Sequence, residues 1–313
     1  MRKVNTALIG YGHLGRFHAQ KIEALENANF SAIVEPSESG KIKAKEAHPN
    51  TLIIGSIDEL PADVQAAIVV TPTSFHYEIC KKLIAKDLNV FCEKPVTDKL
   101  DDALSLIELM NGKELVFQVG HSERCHEAWE QKGLMAPYLG AGSHIRLDRY
   151  ASFKGRATDV DVVNDLMIHD LDLLRYLLGQ DPISVSATGF KQRTDLWDHV
   201  VAHFTFSNGS VADITVGRGH VHEVRSLEAS SSNGVLRVDL MNNQIQIANT
   251  EASDVKTINY TKRDHLLMEQ GHFYQSILSG APVMVTLDDG VKAVKLIDAV
   301  LRSLDTKQTV ELS

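Results

Sequence analysis

One histidine and three aspartates stand close together in the stretch 164–172, which reads NDLMIHDLD. If the stretch is an α-helix, Asp165, His169 and Asp172 lie on one face, because they are four and three residues apart. A carboxylate near an imidazole orients the ring and supports its protonated form, as general acid–base catalysis requires. The same face also suits an ordinary solvated helix surface. We therefore expect Asp165 and His169 to be a catalytic pair only if other parts of the chain also indicate an enzyme.

A glycine-rich loop near the N-terminus predicts dinucleotide binding. A strand predicted over residues 4–9 runs into GYGHLG, and a helical stretch begins at residue 16. In this context the first glycine permits the turn, the second lets the backbone approach a pyrophosphate, and the third lets helix and strand pack closely. The helix N-terminus favours the phosphates. The predicted cofactor contacts of the loop are Gly10, Tyr11, Gly12, His13, Leu14 and Gly15.

An acidic residue follows the second predicted strand and bears on the choice of cofactor. Glu35 stands twenty residues beyond Gly15, where a carboxylate can accept hydrogen bonds from an adenosine ribose. Its charge would repel a 2′-phosphate, and no arginine follows closely. NAD is therefore the expected cofactor, with NADP as the alternative.

Strands and helices alternate as far as residue 120, which predicts a doubly wound parallel α/β sheet. Two segments of this half follow predicted strands directly, at the strand ends where open α/β sheets bind ligands. They are TPTSFH at 71–76 and EKP at 93–95. A lysine in such a loop is also commonly just solvated. The predicted cofactor contacts here are Thr71, Pro72, Thr73, His76, Glu93 and Lys94.

The second half of the chain has a different pattern, with seven strands predicted in succession between residues 183 and 260. Sequential strands joined by turns predict a large, mainly antiparallel sheet in an α+β domain. We therefore expect a dinucleotide-binding domain over 1–120 and a separate α+β domain over 121–313. An open sheet face of this kind favours a homodimer or homotetramer.

Composition restricts the classes of function. The 313 residues include 32 basic and 41 acidic side chains, a net charge of −9, which argues against nucleic-acid binding. No apolar stretch is long enough to cross a membrane, and the three cysteines show no metal-binding spacing, so a cytoplasmic enzyme with reduced thiols is expected. The histidine pairs His199/His203 and His220/His222 lack a third ligand at a convincing spacing, and no metal is expected.

Taken together, GYGHLG, TPTSFH, EKP and DLMIHDLD resemble the glucose–fructose oxidoreductase/inositol dehydrogenase/MocA (Gfo/Idh/MocA) family, over essentially the whole chain. The resemblance implies a Rossmann domain over 1–120 and, over 121–313, an open-faced α/β domain for substrate binding and oligomerisation. It also implies hydride transfer between a nicotinamide nucleotide and a sugar-type carbinol or ketone. The catalytic residues it implies are Lys94, Asp165 and His169, with either Lys94 or His169 as the principal base. Substrate contacts are expected from His121, Arg124, Arg156 and Asp172.

Two segments, GHSER and TDVDVVNDLMIHDLDLL, are similar to the branch of this family that oxidises the 3-hydroxyl of UDP-N-acetylglucosamine. An inositol or free-aldose dehydrogenase of the same family is an alternative prediction. An alternative of another class is a noncatalytic NAD(P)-sensing regulatory protein.

Overall fold

The computed structural model describes residues 2–153, 155, 158–250 and 254–312. Its contacts divide the chain into two compact units, each made of two segments. The first unit is Met1–Ser122 with Asp264–Val294, and the second is Glu123–Arg263 with Lys295–Ser313. This division differs from the two continuous domains expected from the sequence, since residues 264–294 belong with the N-terminal part of the chain.

Fifteen strands and eight α-helices are found in the described residues. The strands are β1 Val4–Ile9, β2 Ala28–Val34, β3 Leu52–Ile54, β4 Ala66–Val69, β5 Asn89–Glu93, β6 Phe117–Gly120, β7 His144–Ala151, β8 Ser184–Phe190, β9 His199–Thr205, β10 Val211–Arg218, β11 Val224–Ser231, β12 Gly234–Asp239, β13 Gln244–Asn249, β14 Val255–Asn259 and β15 Val310–Glu311. The helices are α1 His13–Ala24, α2 Glu38–Ala47, α3 His76–Ala85, α4 Leu100–Met110, α5 Lys132–Met135, α6 Ile168–Leu178, α7 His265–Ser279 and α8 Leu287–Thr306. None of these helices is both long and apolar enough to span a bilayer.

The first unit contains a six-stranded parallel sheet with the strand order β3-β2-β1-β4-β5-β6. This is the doubly wound order of a Rossmann fold, and it confirms the fold predicted from the alternating pattern. The order reverses between β1 and β4, and the chain leaves both strands at the same edge of the sheet. Ligands bind at such a reversal in open α/β sheets.

Both faces of this sheet are buried, because successive strand residues point to opposite sides. Leu8 lies in the core formed with α1 and α7, whereas Ile9 lies in the core formed with α3, α4 and the start of α8. Phe273 and Tyr274 of α7 are fully buried, and the Phe273 ring lies 5.9 Å from that of Phe91 on β5. The segment 264–294 joins the first unit because its apolar side chains fill space on both faces of the parallel sheet.

The second unit is built on a nine-stranded sheet with the order β14-β13-β12-β11-β7-β10-β9-β8-β15. Its strands pair antiparallel except for β7 with β10, which confirms the mainly antiparallel sheet. Strands β8 to β14 match the seven predicted strands to within two residues at each end. Strand β15 was not predicted, because its two residues carry no periodic pattern and are strands only through pairing with β8.

Two glycines of the N-terminal loop provide a matched test of packing. A methyl group on Gly15 would lie 2.3 Å from the carbonyl oxygen of Gly10, whereas one on Gly12 would meet no heavy atom within 4 Å. We expect Gly15→Ala to lower the free energy of unfolding by about 1–3 kcal/mol through overpacking, although alanine favours a helix. Gly12→Ala should keep the wild-type stability. Urea unfolding measures both, and a Gly15→Ala variant as stable as Gly12→Ala would contradict this packing.

Candidate active site

The glycine loop leaves β1 and begins α1 with its main chain exposed to a ligand. Gly10 has φ +97°, and a side chain there would lie 2.8 Å from the carbonyl oxygen of Val70, so glycine is required. Gly12 is the N-cap of α1, and no side chain caps this helix. Its first-turn N–H groups and partial positive charge therefore favour an anion. With the open space beside Gly12, the loop fits the pyrophosphate of a dinucleotide.

Glu35 holds a fixed carboxylate at the end of β2. It accepts hydrogen bonds from the Tyr11 main-chain N–H at 3.0 Å and from the Ser37 N–H and hydroxyl at 3.0 and 2.6 Å. Burial raises the pKa of Glu35, but these hydrogen bonds and the charge of Lys41 outweigh burial and lower it overall. Gly40 leaves room for this arrangement, because a methyl group there would lie 2.6 Å from the Glu35 carboxyl carbon. A carboxylate that is ionised at neutral pH therefore stands beside the glycine loop.

A cavity of about 410 Å³ lies at this edge of the parallel sheet. Its volume falls within the range of roughly 300–1,000 Å³ that is typical of small-molecule sites. Gly10, Gly12, Glu35, Thr71 and Pro72 line it, as expected for cofactor contacts. Sequence reasoning missed the apolar and small residues that complete the wall, although some directly follow β2 and β3, where the topology places ligands. They are Ile9, Val34, Pro36, Gly55, Ser56, Ile57, Val70, Phe75 and Ile79, together with Lys82.

Other predicted cofactor residues of the glycine loop and of 71–76 lie outside this lining. The Tyr11 ring is buried and packs edge-on against His48, and its main chain serves Glu35. His13 and Leu14 are exposed on the first turn of α1, and Thr73 is half-buried. His76 is buried with its two ring nitrogens 2.9 and 2.8 Å from the carbonyl oxygens of Thr71 and Pro95. Burial lowers the pKa of His76, and its ring ties the two strand-end loops together.

The EKP segment begins at the last residue of β5, and its glutamate is buried. Glu93 accepts a hydrogen bond from the Nε2 of His18 at 2.9 Å and another from the main-chain N–H of Lys94 at 3.1 Å. Burial raises the pKa of Glu93, but His18 and the charge of Lys94 lower it overall. The Lys94–Pro95 peptide bond is cis, and the Lys94 side chain is half-buried. Glu93 thus holds the main chain at the predicted catalytic lysine.

The helix that carries the predicted acid–base pair is not α-helical throughout. Residues Val163–Met167 form a π-helical turn, and α6 begins at Ile168. Asp165 and His169 are both half-buried, but the wider turn between them departs from the α-helical register assumed in the sequence analysis. π-turns of this kind occur frequently at functional sites. The side chain of Asp172 is fully buried and does not share an exposed face with the other two.

Two buried ion pairs fix the position of α6 in the second unit. Asp172 binds Arg124 through both carboxylate oxygens, at 2.8 and 2.6 Å, and the Arg124 guanidinium lies 5.1 Å from the Tyr176 ring centroid. Asp170 binds Arg149 in the same bidentate manner, at 2.8 and 2.7 Å. The carboxylate of Asp172 and the guanidinium of Arg124, both predicted substrate contacts, are therefore paired with each other inside the second unit.

The second ion pair continues into a buried cluster of charges. The Glu123 carboxylate accepts hydrogen bonds from the guanidinium groups of Arg149, at 3.2 Å, and Arg225, at 3.0 Å. Burial raises the pKa of Glu123, but the two guanidinium groups lower it to about 2. Burial also disfavours the charge on Arg149, and the carboxylates of Asp170 and Glu123 raise its pKa overall. Each buried charge is matched, as stability requires.

The remaining predicted substrate contacts have separate positions. His121 is buried directly after β6 in the first unit, and Arg124 is buried in the second. Arg156 lies outside the described residues. Of the predicted histidine pairs, His199 instead approaches His220, with ring centroids 5.4 Å apart, and Tyr150 stacks on His220. His220 lies just after β10, and its Nε2 is 3.3 Å from Nδ1 of His199.

Comparison with known proteins identifies both parts of the chain. Residues 4–121 match the model of an oxidoreductase family with an NAD-binding Rossmann fold, and residues 142–237 match the GFO/IDH/MocA C-terminal domain. A UDP-N-acetylglucosamine 3-dehydrogenase of Acidithiobacillus ferrooxidans is 33% identical over 96% of both chains. Its solved structure has a TM-score of 0.90 and covers 98% of this chain and 99% of its own.

More distant relatives carry other substrate names. An inositol 2-dehydrogenase of Rhizobium meliloti is 24% identical over 99% of both chains. A scyllo-inositol dehydrogenase of Lactobacillus casei, solved with NAD(H) and scyllo-inositol, has the same fold with a TM-score of 0.85 and 21% identity, covering 99% of both chains. With the NAD-binding sheet and the matched C-terminal domain, the chain belongs to the Gfo/Idh/MocA family and is an NAD-dependent oxidoreductase that acts on CH–OH groups of sugar-type substrates.

Proposed function

We propose that the protein oxidises the 3-hydroxyl of a UDP-N-acetylhexosamine, with NAD as the hydride acceptor. The observation that carries this proposal is the full-length similarity to the Acidithiobacillus ferrooxidans enzyme, at 33% identity. The inositol dehydrogenases match less closely, at 24% identity for the Rhizobium meliloti enzyme. An inositol dehydrogenase is the second candidate, because these relatives also cover nearly the whole chain.

The residues proposed to bind the cofactor are those beside the cavity. The main chain at Gly12 and the first turn of α1 receive the pyrophosphate, and Glu35 accepts hydrogen bonds from the adenosine ribose. Thr71 and Pro72 complete the wall near the end of β4. Bound NAD supplies the hydride acceptor, and the protein supplies binding, orientation and proton transfer.

The proposed proton transfer uses Lys94, Asp165 and His169. An imidazole nitrogen of His169 takes the proton of the substrate hydroxyl, and Asp165 orients the ring and stabilises its positive charge. Lys94 donates a hydrogen bond to the same hydroxyl oxygen and stabilises the negative charge that develops there. In the reverse direction these groups return the proton. His121, Arg124 and Arg156 remain proposed substrate contacts.

We also propose that the protein is a homodimer or homotetramer through the open face of the nine-stranded sheet. Along β9, and along β10 as far as Val216, every second residue is only half-buried, while those between are buried. Such a face gains stability when a second copy covers it. Light scattering at micromolar concentration should give twice or four times the monomer mass of 34.6 kDa.

The substrate is tested by incubating the purified protein with NAD and a panel of UDP-sugars, inositols and aldoses. Reduction of the cofactor is followed by its absorbance. We expect the highest kcat/KM with UDP-N-acetylglucosamine. A higher value with an inositol would select the second candidate and contradict the first.

Replacement of the proposed catalytic lysine should separate binding from chemistry. Lys94→Met is expected to lower kcat by about 10²–10⁴-fold, the usual contribution of a positioned acid–base group. NAD affinity should stay close to that of the wild type, because the pyrophosphate and ribose contacts lie elsewhere. The control is Lys43→Met, at an exposed position of α2. Near-normal turnover by Lys94→Met would refute the catalytic assignment.

Cofactor preference should depend on the charge of Glu35. The wild type is expected to bind NAD more tightly than NADP, because the ionised carboxylate repels a 2′-phosphate. Glu35→Gln should reduce this preference about tenfold or more, since a hydrogen bond to a charged group contributes about 1.5–3 kcal/mol. Fluorescence titration with NADH and NADPH measures both affinities, with Glu38→Gln, at an exposed carboxylate, as control. An unchanged ratio in Glu35→Gln would show that this carboxylate does not select the cofactor.

A further inference from the structure

A buried cluster of ionisable side chains lies within the first unit, directly behind the EKP segment. His18 of α1, Glu93 of β5 and Glu269 of α7 each place one polar atom within 4.8 Å of the other two. Their exposed fractions are 0%, 7% and 1%. Neither the sequence motifs nor the proposed catalytic steps use His18 or Glu269. The cost of burying charge therefore requires a separate explanation for this cluster.

Hydrogen bonds define the protonation of His18. The side-chain amide nitrogen of Gln270 lies 2.8 Å from His18 Nδ1 and also donates to the main-chain oxygen of His18 at 3.3 Å. An amide nitrogen is a donor, so Nδ1 accepts and the single proton of a neutral ring is on Nε2. Nε2 lies 2.9 Å from Glu93 and donates to it. Glu93 is thus the ionised member of the cluster.

Glu269 is in a different situation from Glu93. Both of its carboxyl oxygens are buried, and neither has a hydrogen-bond partner among the described residues. Gln118 of β6 donates to the main-chain oxygen of Glu269 at 2.8 Å, not to its carboxyl group. Burial raises the pKa of Glu269 far above its ordinary range, and the negative charge of Glu93 raises it further. Two adjacent buried carboxylates cannot both ionise at low cost.

We propose that Glu93 and Glu269 hold one proton between them at neutral pH, carried by Glu269, and that Glu269 is a positioning residue that acts on Lys94 through Glu93. A neutral Glu269 leaves Glu93 as the only buried negative charge of the cluster, held by the His18 Nε2–H and the Lys94 N–H. Helix α7 thereby supports the strand end at Lys94, in addition to the cofactor and substrate contacts proposed above.

A metal ion is the other occupant that this set of atoms suggests. A metal would need an unprotonated nitrogen of His18 and two ionised carboxylates. His18 directs its Nε2–H at Glu93 and uses Nδ1 to accept from Gln270, so neither nitrogen has a lone pair aimed at the centre of the cluster. The hydrogen-bonding pattern therefore favours a shared proton.

A protonated Glu269 in the folded protein changes how the free energy of unfolding depends on pH. In the unfolded chain Glu269 loses its proton near pH 4.3, whereas in the folded protein it keeps it to a much higher pH. The folded state then binds one more proton, so stability falls as pH rises through this window. Among the described residues, the titratable groups that lie close to Glu269 are His18 and Glu93. Comparison of the wild type with Glu269→Gln at each pH holds them constant.

The direct test is infrared difference spectroscopy of the wild type against Glu269→Gln at pH 7. A carbonyl band of a protonated carboxylic acid should be present in the wild type and absent in Glu269→Gln. Glu26→Gln, at an exposed position, is the control and should keep the band. Absence of the band in the wild type would overturn the proposal, as would a stoichiometric metal ion that is lost in Glu269→Gln.

Urea unfolding between pH 5 and 8 gives an independent readout. The ratio of folding equilibrium constants, Glu269→Gln over wild type, should rise about tenfold per pH unit while Glu269 keeps its proton. Glu26→Gln should show no such trend. A flat ratio for Glu269→Gln would mean that Glu269 is ionised in the folded protein, and it would contradict the shared proton. Neither this experiment nor the infrared test needs a substrate.

The positioning role is read from kcat on the substrate found by the panel. Glu269→Leu should lower kcat about tenfold or more, because displaced reactive groups are costly. Glu269→Gln should restore much of that loss, since it preserves the shape and neutrality of the protonated acid. Equal kcat values for the two variants would refute the positioning role, even if the shared proton is found.

Discussion

The bidentate pairs Arg124–Asp172 and Arg149–Asp170 are the interactions on which the position of α6 in the second unit depends. Both carboxylates belong to α6, only two residues apart, and both arginines are almost completely buried. Burying four charges is costly unless each is paired in good geometry. The two pairs therefore fix both the rotation of α6 about its own axis and its position along that axis. The π-turn that precedes α6 then sets where Asp165 and His169 lie. The pairs thereby position the proposed acid–base residues.

In the first unit, two carboxylates are held by hydrogen bonds from main-chain N–H groups. Glu35 accepts from the N–H of Tyr11, and Glu93 accepts from the N–H of Lys94. Each carboxylate therefore fixes the main chain at a proposed functional position, the glycine loop in one case and Lys94 in the other. This explains why both strand ends carry glutamate, since an ionised acceptor forms stronger hydrogen bonds than a neutral one.

Much of this architecture could be predicted, and the failures have physical causes. Local rules of residue spacing and turn chemistry are enough to predict the glycine loop, the position of Glu35 after β2 and the strands β8 to β14. They do not reveal that 264–294 joins the first unit, because which sheet an apolar helix covers is decided by tertiary packing. The ion pair of Asp172 also cannot be predicted from local sequence, because its partner Arg124 is 48 residues away. The π-turn at Val163–Met167 leaves no periodic signal.

The proposed mechanism needs an ionised carboxylate at the NAD site, a lysine whose main chain is held by Glu93, and an acid–base pair on an anchored helix. It also requires that the hydride leaves C3 of the nucleotide sugar. The most direct measurement uses UDP-N-acetylglucosamine deuterated only at C3, with NAD and the wild-type protein, and mass spectrometry of the reduced cofactor. We expect each NADH formed to carry one deuterium. NADH without deuterium, or no NADH from this substrate while an inositol is oxidised, would contradict this mechanism.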